Sequence, residues 1–492
     1  MKEKFNHIYS LLTKTLASKR FSWFVVGLFI FQALWVAFSF RFPMIYDEGF
    51  HMEATRLFSG HILPVLETQP VSSDIFGIFV SGGATIFHYF MSVPYSIVSW
   101  FTDSRTAHVI VLRIIGVIMF AGGIVLFTKL FQKIGIRRIY INIGMLLFIL
   151  LPVTTLTAAT VSYDNMLFLL TPAFLIMCVR ILLSKKMNWR DYALLIALGC
   201  LASLVKFTFL PIFAAGILFI GIYTLRRWKK SIFRELLVSI QSTKKIPMIL
   251  IAAILVVSVG VFSSVYIKNT IVYGSPQPSC QELLGEERCT NGGVTARNLN
   301  AAATKNTREL QSVPVYLSSW ATQMTNWTNM TGSRIQNSGM VIKDPLPVIY
   351  ATVFIAIFIG AGFMLYSWKL IKKNIAWYFL LTMATVLILS VFVQNTLTYL
   401  ELHIAYAVQP RYLLGIMPIL IIMMAVSAGI ALRKHRLVKS LLLVIVFILF
   451  SQGGGLVTHI LRSDDSWNWN NATVKSINNN ARELLRPFVK EY

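Results

Sequence analysis

Long apolar runs separated by short, mostly basic polar stretches dominate the 492-residue chain. Crossing a hydrocarbon core of roughly 30 Å takes about 20 mostly apolar residues, because every backbone polar group must be paired inside the segment. Eleven stretches fit, at 21–40, 109–131, 139–158, 166–183, 192–206, 209–225, 247–267, 346–366, 375–393, 412–431 and 439–457. The fifth and sixth are short and are separated by little more than Lys206-Phe207-Thr208, which predicts a tight helical hairpin. A twelfth stretch, 78–101, is interrupted by Ser81, Gly82, Gly83, His88 and Pro94 and reads as an interfacial or re-entrant helix. The predicted fold class is therefore all-α integral membrane, with about 11 transmembrane helices.

Composition supports this reading and charge gives it a direction. Apolar residues make up 56% and charged residues only 13%, against roughly 25% charged in a soluble globular domain. The net charge of +25 would point to nucleic acid in a soluble protein, but in a membrane protein basic loops mark the cytoplasmic side. Lys2, Lys4, Lys14, Lys19 and Arg20 precede the first span and place the N-terminus inside. No small-residue cleavage site follows, so the first span is expected to be a retained anchor. Alternation leaves 27 basic and three acidic residues inside, with 18 basic and 17 acidic outside. The basic excess is thus a topology signal, with no nucleic-acid partner implied, and counting 78–101 as a crossing would invert it. The C-terminus falls outside, and nearly all carboxylates lie on that outer face.

The organisation expected is a transmembrane module over 1–458 and an extracytoplasmic C-terminal tail over 459–492. Two outer loops interrupt the module, the first at 41–108 and a longer one at 268–345. Cys280 and Cys289, in the long loop, are close enough to close a disulfide in an oxidising compartment. Cys178 and Cys200 fall within spans and read as small buried apolar residues.

The most distinctive local motif is Arg41-Phe-Pro-Met-Ile-Tyr-Asp-Glu-Gly-Phe-His51, directly after the first span. Asp47 and Glu48 are adjacent carboxylates with His51 one turn on. Such a pair offers a general base or a shared divalent cation, Mg or Mn. The plainer alternative is that Asp47 caps the helix starting there. Arg411, in Gln409-Pro410-Arg411-Tyr412, either snorkels from the tenth span or holds a phosphate. Lys206 lies between two apolar half-segments, where a lysine is costly and so suggests function. Arg113 opens the second span, and Asp164, in Ser162-Tyr163-Asp164-Asn165, is a helix cap or a ligand. Two carboxylates, three cations and an aspartate at one membrane face suit transfer between a lipid-linked anion and an acceptor hydroxyl.

These residues resemble the GT-C superfamily of membrane glycosyltransferases, and within it prokaryotic proteins with a Pro-Asp-Glu-x-x-His-like signature. The matching segments are Tyr46-Asp47-Glu48-Gly49-Phe50-His51, Leu112-Arg113, Ala158-Ala-Thr-Val-Ser-Tyr-Asp164, Leu204-Val-Lys206-Phe-Thr-Phe-Leu-Pro211 and Val408-Gln-Pro-Arg411-Tyr-Leu-Leu. The resemblance implies a GT-C-like fold with juxtamembrane helices in the first outer loop, a polyprenyl-phosphate-linked sugar donor and inversion at the anomeric carbon. It further implies Asp47 as the base that deprotonates the acceptor, Glu48 assisting it or sharing a metal, and Arg411 and Lys206 facing the donor phosphate. With these go Arg113 as a further phosphate ligand and His51, Tyr163, Asp164, Gln409 and Tyr412 as substrate-binding residues. The chain departs from the signature at Tyr46, where proline is usual, and at Gln409-Pro410, where glycine usually precedes the arginine. The partners implied are the bilayer, the lipid-linked sugar and a glycan, lipid or protein acceptor, at the extracytoplasmic face of a bacterial plasma membrane. Two other readings stand beside it: a transporter or flippase of a lipid-linked or anionic substrate, and a catalytically silent GT-C-like protein that binds the donor.

Overall fold

The computed structural model describes residues 2–64, 68–76, 78, 85–290, 293–335 and 339–489. The apolar runs form helices, and every one of the eleven stretches falls on one. Among the described residues eight helical segments are long and apolar enough to cross a membrane. A ninth is added if Arg138–Ile149 and Pro152–Ala159, bent by 70° at the break, form one span. The remaining two stretches make shorter helices, Trp189–Val205 with 17 residues and Met417–Ala431 with 15. Between Trp189–Val205 and Leu210–Trp228 the chain turns through Lys206 and a single 3-10 turn, Phe207–Phe209, as the spacing predicts.

The loop over 41–108 carries helix Glu48–Phe58, a 3-10 turn at Val71–Phe76 and helix Thr85–Ser99. The last of these covers most of the twelfth candidate, whose start at 79–84 lies outside the described residues. Its 15 described residues rise about 22 Å.

Helices Arg105–Lys133 and Tyr163–Leu183, which carry Arg113 and Asp164, pack closely because two glycines one heptad apart face the seam. A Cβ on Gly116 would sit 2.5 Å from Asn165 Nδ2, and one on Gly123 would sit 2.5 Å from the Phe168 ring. Small residues that let helix backbones approach in this way are the usual basis of packing in lipid. The Phe168 ring then stacks on Phe120 at 3.9 Å and on Phe148 at 5.4 Å.

The polar tail is stitched to the end of the first span. Arg41 N donates to Trp467 O at 2.8 Å and Trp469 N to Ser39 O at 3.0 Å, while Trp467 is fully buried. Trp35 Nε1 donates to Asn478 Oδ1, and Asn478 Nδ2 to Ser39 Oγ, both at 3.1 Å. The boundary expected at 458/459 falls inside helix Leu456–Arg462.

Cys280 and Cys289 are joined by a disulfide. Next to it Arg288 reaches back to the first outer loop. Its Nε and Nη2 each donate to one Asp74 oxygen at 2.7 Å, and Nη2 also donates to Gln69 O at 2.9 Å. Gln69 Nε2 completes the set with a 2.7 Å bond to Asp74 Oδ1. Such a two-pronged guanidinium fork is geometrically selective, and it holds the two outer loops together.

The hydrogen bonds from Arg288 hold the Asp74 carboxyl below its ordinary value of 3.8. A depressed folded value means that the contribution to stability is complete above 3.8 and is lost as pH falls through the lower, folded value. Amide exchange over 280–290, corrected for its intrinsic pH dependence, should therefore lose protection on acidification below about pH 4. Asp74→Asn should show reduced protection already at neutral pH. It should also lack that acid step, which separates Asp74 from Glu282, whose carboxyl is likewise held low by Ser279.

Candidate functional site

Tyr46 and Asp47 both adopt left-handed backbone, with φ of 69° and 63°. For residues with a Cβ this costs on the order of 1–3 kcal/mol each, and it persists only where surrounding contacts impose it. Proline, with φ fixed near −65°, could not replace Tyr46 in this conformation. Asp47 occupies the cap position of Glu48–Phe58 but makes no side-chain capping bond. Its carboxylate, about half exposed, instead accepts from Arg411 Nη2 at 2.8 Å.

Glu48 points the opposite way and is completely buried. Its Oε1 accepts from Arg113 Nε at 2.8 Å and Val161 N at 3.1 Å; its Oε2 accepts from Arg113 Nη2 at 2.8 Å and Met44 N at 2.6 Å. Arg113 spends its remaining donor, Nη1, on Ala37 O and Phe40 O, at 2.8 and 2.6 Å. This buried pair ties the end of the first span, the 44–48 turn and the 161–164 segment to one point. The expectation that Glu48 joins the chemistry and Arg113 faces a phosphate is not met by this geometry, since their donors and acceptors are spent on each other and on the backbone. The Asp47 and Glu48 carboxylates face apart, one toward Arg411 and the other toward Arg113. Among the described residues no group of three or more His, Cys, Asp or Glu side chains could hold a metal ion.

The other charged residues converge. Lys206, set at the end of Trp189–Val205, donates from Nζ to Asp164 Oδ1 at 2.6 Å. The Ser162 side chain, not Asp164, caps Tyr163–Leu183, so the Asp164 carboxylate is available to Lys206. Arg411, in the 3-10 turn Pro410–Leu413, has Nη1 3.7 Å from Asp164 Oδ2, within ion-pair range but too long for a hydrogen bond. Tyrosines enclose both cations. Lys206 Nζ lies 4.4 and 4.3 Å from the Tyr163 and Tyr412 ring centres, and the Arg411 guanidinium lies 4.7 Å from Tyr46.

Arg411 is buried, yet its Nε and Nη1 make no hydrogen bond. Buried guanidinium donors are almost always paired, so these two, Nη1 with only the longer ion-pair contact to Asp164, stand out in the cluster. Beside them lies a narrow cleft lined by Asp164, Arg411 and Tyr412 together with apolar Leu167, Ile212 and Leu387. Gln409 is half-buried, with Oε1 unpartnered.

His51 lies one turn after Asp47, its Nδ1 2.9 Å from His88 Nε2 and its ring edge-on to Tyr163 at 4.4 Å. Its Nε2 is buried without a partner. Burial, followed by the His88 ring, pushes its pKa well below the usual histidine value, so His51 is neutral at pH 7. The structure thus brings together Asp47, His51, Tyr163, Asp164, Lys206, Arg411 and Tyr412, and places Glu48 and Arg113 behind them. Sequence reasoning missed Tyr46 and His88. His88 was visible only as one polar break in an apolar stretch, whereas nothing in the local sequence marks Tyr46 as covering an arginine 365 positions away.

The family model described as Predicted membrane protein (DUF2142) matches residues 84–423, and the chain belongs to that family of membrane proteins. Among solved structures the chain is similar to the crystal structure of ArnT from Cupriavidus metallidurans in the apo state. That likeness has 15% identity and a TM-score of 0.44, and covers 96% of this chain and 73% of the other. No curated protein matches the chain.

The Arg113 and Arg411 sites should differ in their sensitivity to substitution. Arg113→Met or Glu48→Gln leaves an unmatched buried partner and should lower folding stability by about 3–5 kcal/mol. Arg411→Lys, which keeps a cation against Asp47 and Asp164, should change it far less. Thermal unfolding of the purified variants in detergent checks both.

Proposed function

We propose that the protein is a membrane glycosyltransferase that moves a sugar from a polyprenyl-phosphate donor to a glycan, lipid or protein acceptor, with inversion. The observation that carries the reading is the buried Arg411. Two of its donors are unspent, it lies between the half-exposed Asp47 and the Asp164–Lys206 pair, and an apolar-lined cleft adjoins it. A phosphate bearing a hydrocarbon chain has the chemistry to meet both, its oxygens on the guanidinium and its chain along Leu167, Ile212 and Leu387.

Asp47, Asp164, Lys206 and Arg411 together are formally neutral, so an incoming phosphate must compete for a cation. The contact most open to exchange is Arg411 to Asp47, the only one of the three ion pairs in the cluster with a partner open to solvent. If Arg411 turns to the phosphate, Asp47 is released as its charge is needed. The acceptor hydroxyl then gives its proton to Asp47 and its oxygen bonds to the anomeric carbon. The bond from that carbon to the phosphate oxygen breaks, and polyprenyl phosphate leaves with the electron pair. Arg411 and Lys206 meet the charge that develops on the leaving phosphate. Glu48 and Arg113 act as positioning residues. The charge asymmetry of the loops supports an extracytoplasmic site, and the resemblance to GT-C glycosyltransferases is what favours a bacterial plasma membrane.

The test is Asp47→Asn in correctly folded, purified protein supplied with a polyprenyl-phosphate sugar and an acceptor. Release of polyprenyl phosphate should fall about 100-fold or more, as expected for loss of a general base, while donor binding persists. Arg411→Lys should weaken donor binding. Full transfer by Asp47→Asn would exclude its role, and donor movement across the bilayer without release of lipid phosphate would instead indicate a transporter.

A further inference from the structure

At the other end of the hairpin helix the chain builds a second surface. Helix Leu210–Trp228 starts beside Lys206 and rises about 28 Å over its 19 residues, so Trp228 lies roughly one membrane thickness from the Asp164–Lys206–Arg411 cluster. There the chain runs Arg226-Arg227-Trp228-Lys229-Lys230, forms helix Ile232–Gln241, and re-enters an apolar helix at Lys245–Phe262.

None of the ten residues of Ile232–Gln241 is buried. Ile232, Phe233, Leu236, Leu237 and Ile240 nevertheless share one face at helical spacing; Phe233 is 79% and Leu237 58% exposed, while Ile232, Leu236 and Ile240 are half-buried. The other side carries Arg234, Glu235, Ser239 and Gln241, with the exposed Val238 among them. An exposed apolar face costs free energy in water. Since apolar helices anchor both ends of this segment, hydrocarbon is the medium that adjoins it. Over 226–245 seven basic residues face one acidic residue, and Arg226, Arg227, Lys229, Lys230, Lys244 and Lys245 are all exposed.

The helix is also fixed in place. Ser239 Oγ accepts from Trp189 N at 3.0 Å, and Thr243 Oγ1 accepts from Trp189 Nε1 at 2.9 Å and Arg190 Nε at 3.3 Å. These bonds join it to the neighbouring loop that contributes Lys185 and Lys186. We infer that this platform binds the headgroups of anionic phospholipids. The apolar face of Ile232–Gln241 lies in the interface, and the flanking lysines and arginines pair with lipid phosphates. The inference does not depend on the proposed transferase activity.

The experiment uses the full chain in nanodiscs of phosphatidylcholine alone or mixed with phosphatidylglycerol. Lipid retained on the protein is counted by native mass spectrometry. A nitroxide on Leu237→Cys reports depth, since Cys178 and Cys200 are buried and Cys280 and Cys289 are joined. Phosphatidylglycerol should be retained several-fold over phosphatidylcholine. The preference should fall with added salt and should fall at least twofold when Arg226, Arg227, Lys229 and Lys230 are all changed to Gln. The nitroxide should be relaxed by oxygen and shielded from an aqueous nickel chelate. Equal retention of the two lipids, a preference indifferent to salt, or a nitroxide open to the chelate would overturn the inference. So would tight binding of inorganic tripolyphosphate to lipid-free protein, which would assign the surface to soluble polyanions. If the fourfold variant fails to fold, the salt titration and the depth measurement on otherwise unaltered protein still decide.

Discussion

The site depends on burying the Glu48–Arg113 pair. Removing two charges from water carries a desolvation cost of several kcal/mol per ion, recovered only if nearly every lone pair and proton is satisfied. Here each Glu48 oxygen takes two hydrogen bonds, and Arg113 spends Nε, Nη1 and Nη2. Because the partners come from the end of the first span, the 44–48 turn, the second long helix and Val161, this condition can be met in only one arrangement of those four segments. The left-handed backbone at Tyr46 and Asp47 follows. Glu48 is drawn inward, the preceding turn is bound at Met44, and Asp47 is forced to face Arg411.

Asp47 and Glu48, adjacent and alike in sequence, therefore perform opposite tasks. Sequence reasoning grouped them, because their spacing alone suits a shared base or a shared cation. What separates them is a contact between Glu48 and Arg113, 65 positions apart, and no local pattern reports it. Arg113 was misplaced for the same reason: an arginine early in a span is equally consistent with a phosphate ligand and with a buried structural ion pair. The Lys206 reading was better founded, since a lysine between two short apolar helices needs an anionic partner wherever it goes. That partner proved to be Asp164, which was legible as a residue with two possible tasks. Ser162 took the capping task and left the carboxylate to the lysine.

Architecture was legible to a similar depth. Apolar run length located helices at all eleven stretches, because hydrocarbon admits few alternatives to a helix for a spanning segment. It marked the stretch that becomes Trp189–Val205 as short, but it did not locate the 70° break between Arg138–Ile149 and Pro152–Ala159, nor the shortness of Met417–Ala431. These irregular places surround the site. Lys206 ends one of the short helices, Arg411 precedes the other, and the bent pair leads to Val161 and Asp164. A site within membrane helices needs polar groups projecting from interrupted backbone, so the features that weaken the span pattern are the ones that supply the chemistry.

Charge divides along the same lines. The basic excess sits in loops, with an exposed basic cluster on either side of Ile232–Gln241. The interior ion pairs are balanced: Glu48 with Arg113, and Asp47 and Asp164 with Lys206 and Arg411. Balance makes the cluster tolerable at membrane depth, and in the proposed mechanism it means that an arriving anion has to displace an internal one. Tyr46, Tyr163 and Tyr412 bear on that exchange. Their ring faces attract the cations without neutralising them, so Arg411 and Lys206 are held in position while their charge remains available to a phosphate. Carboxylates in place of those rings would bind the cations more tightly and leave nothing for a ligand to gain.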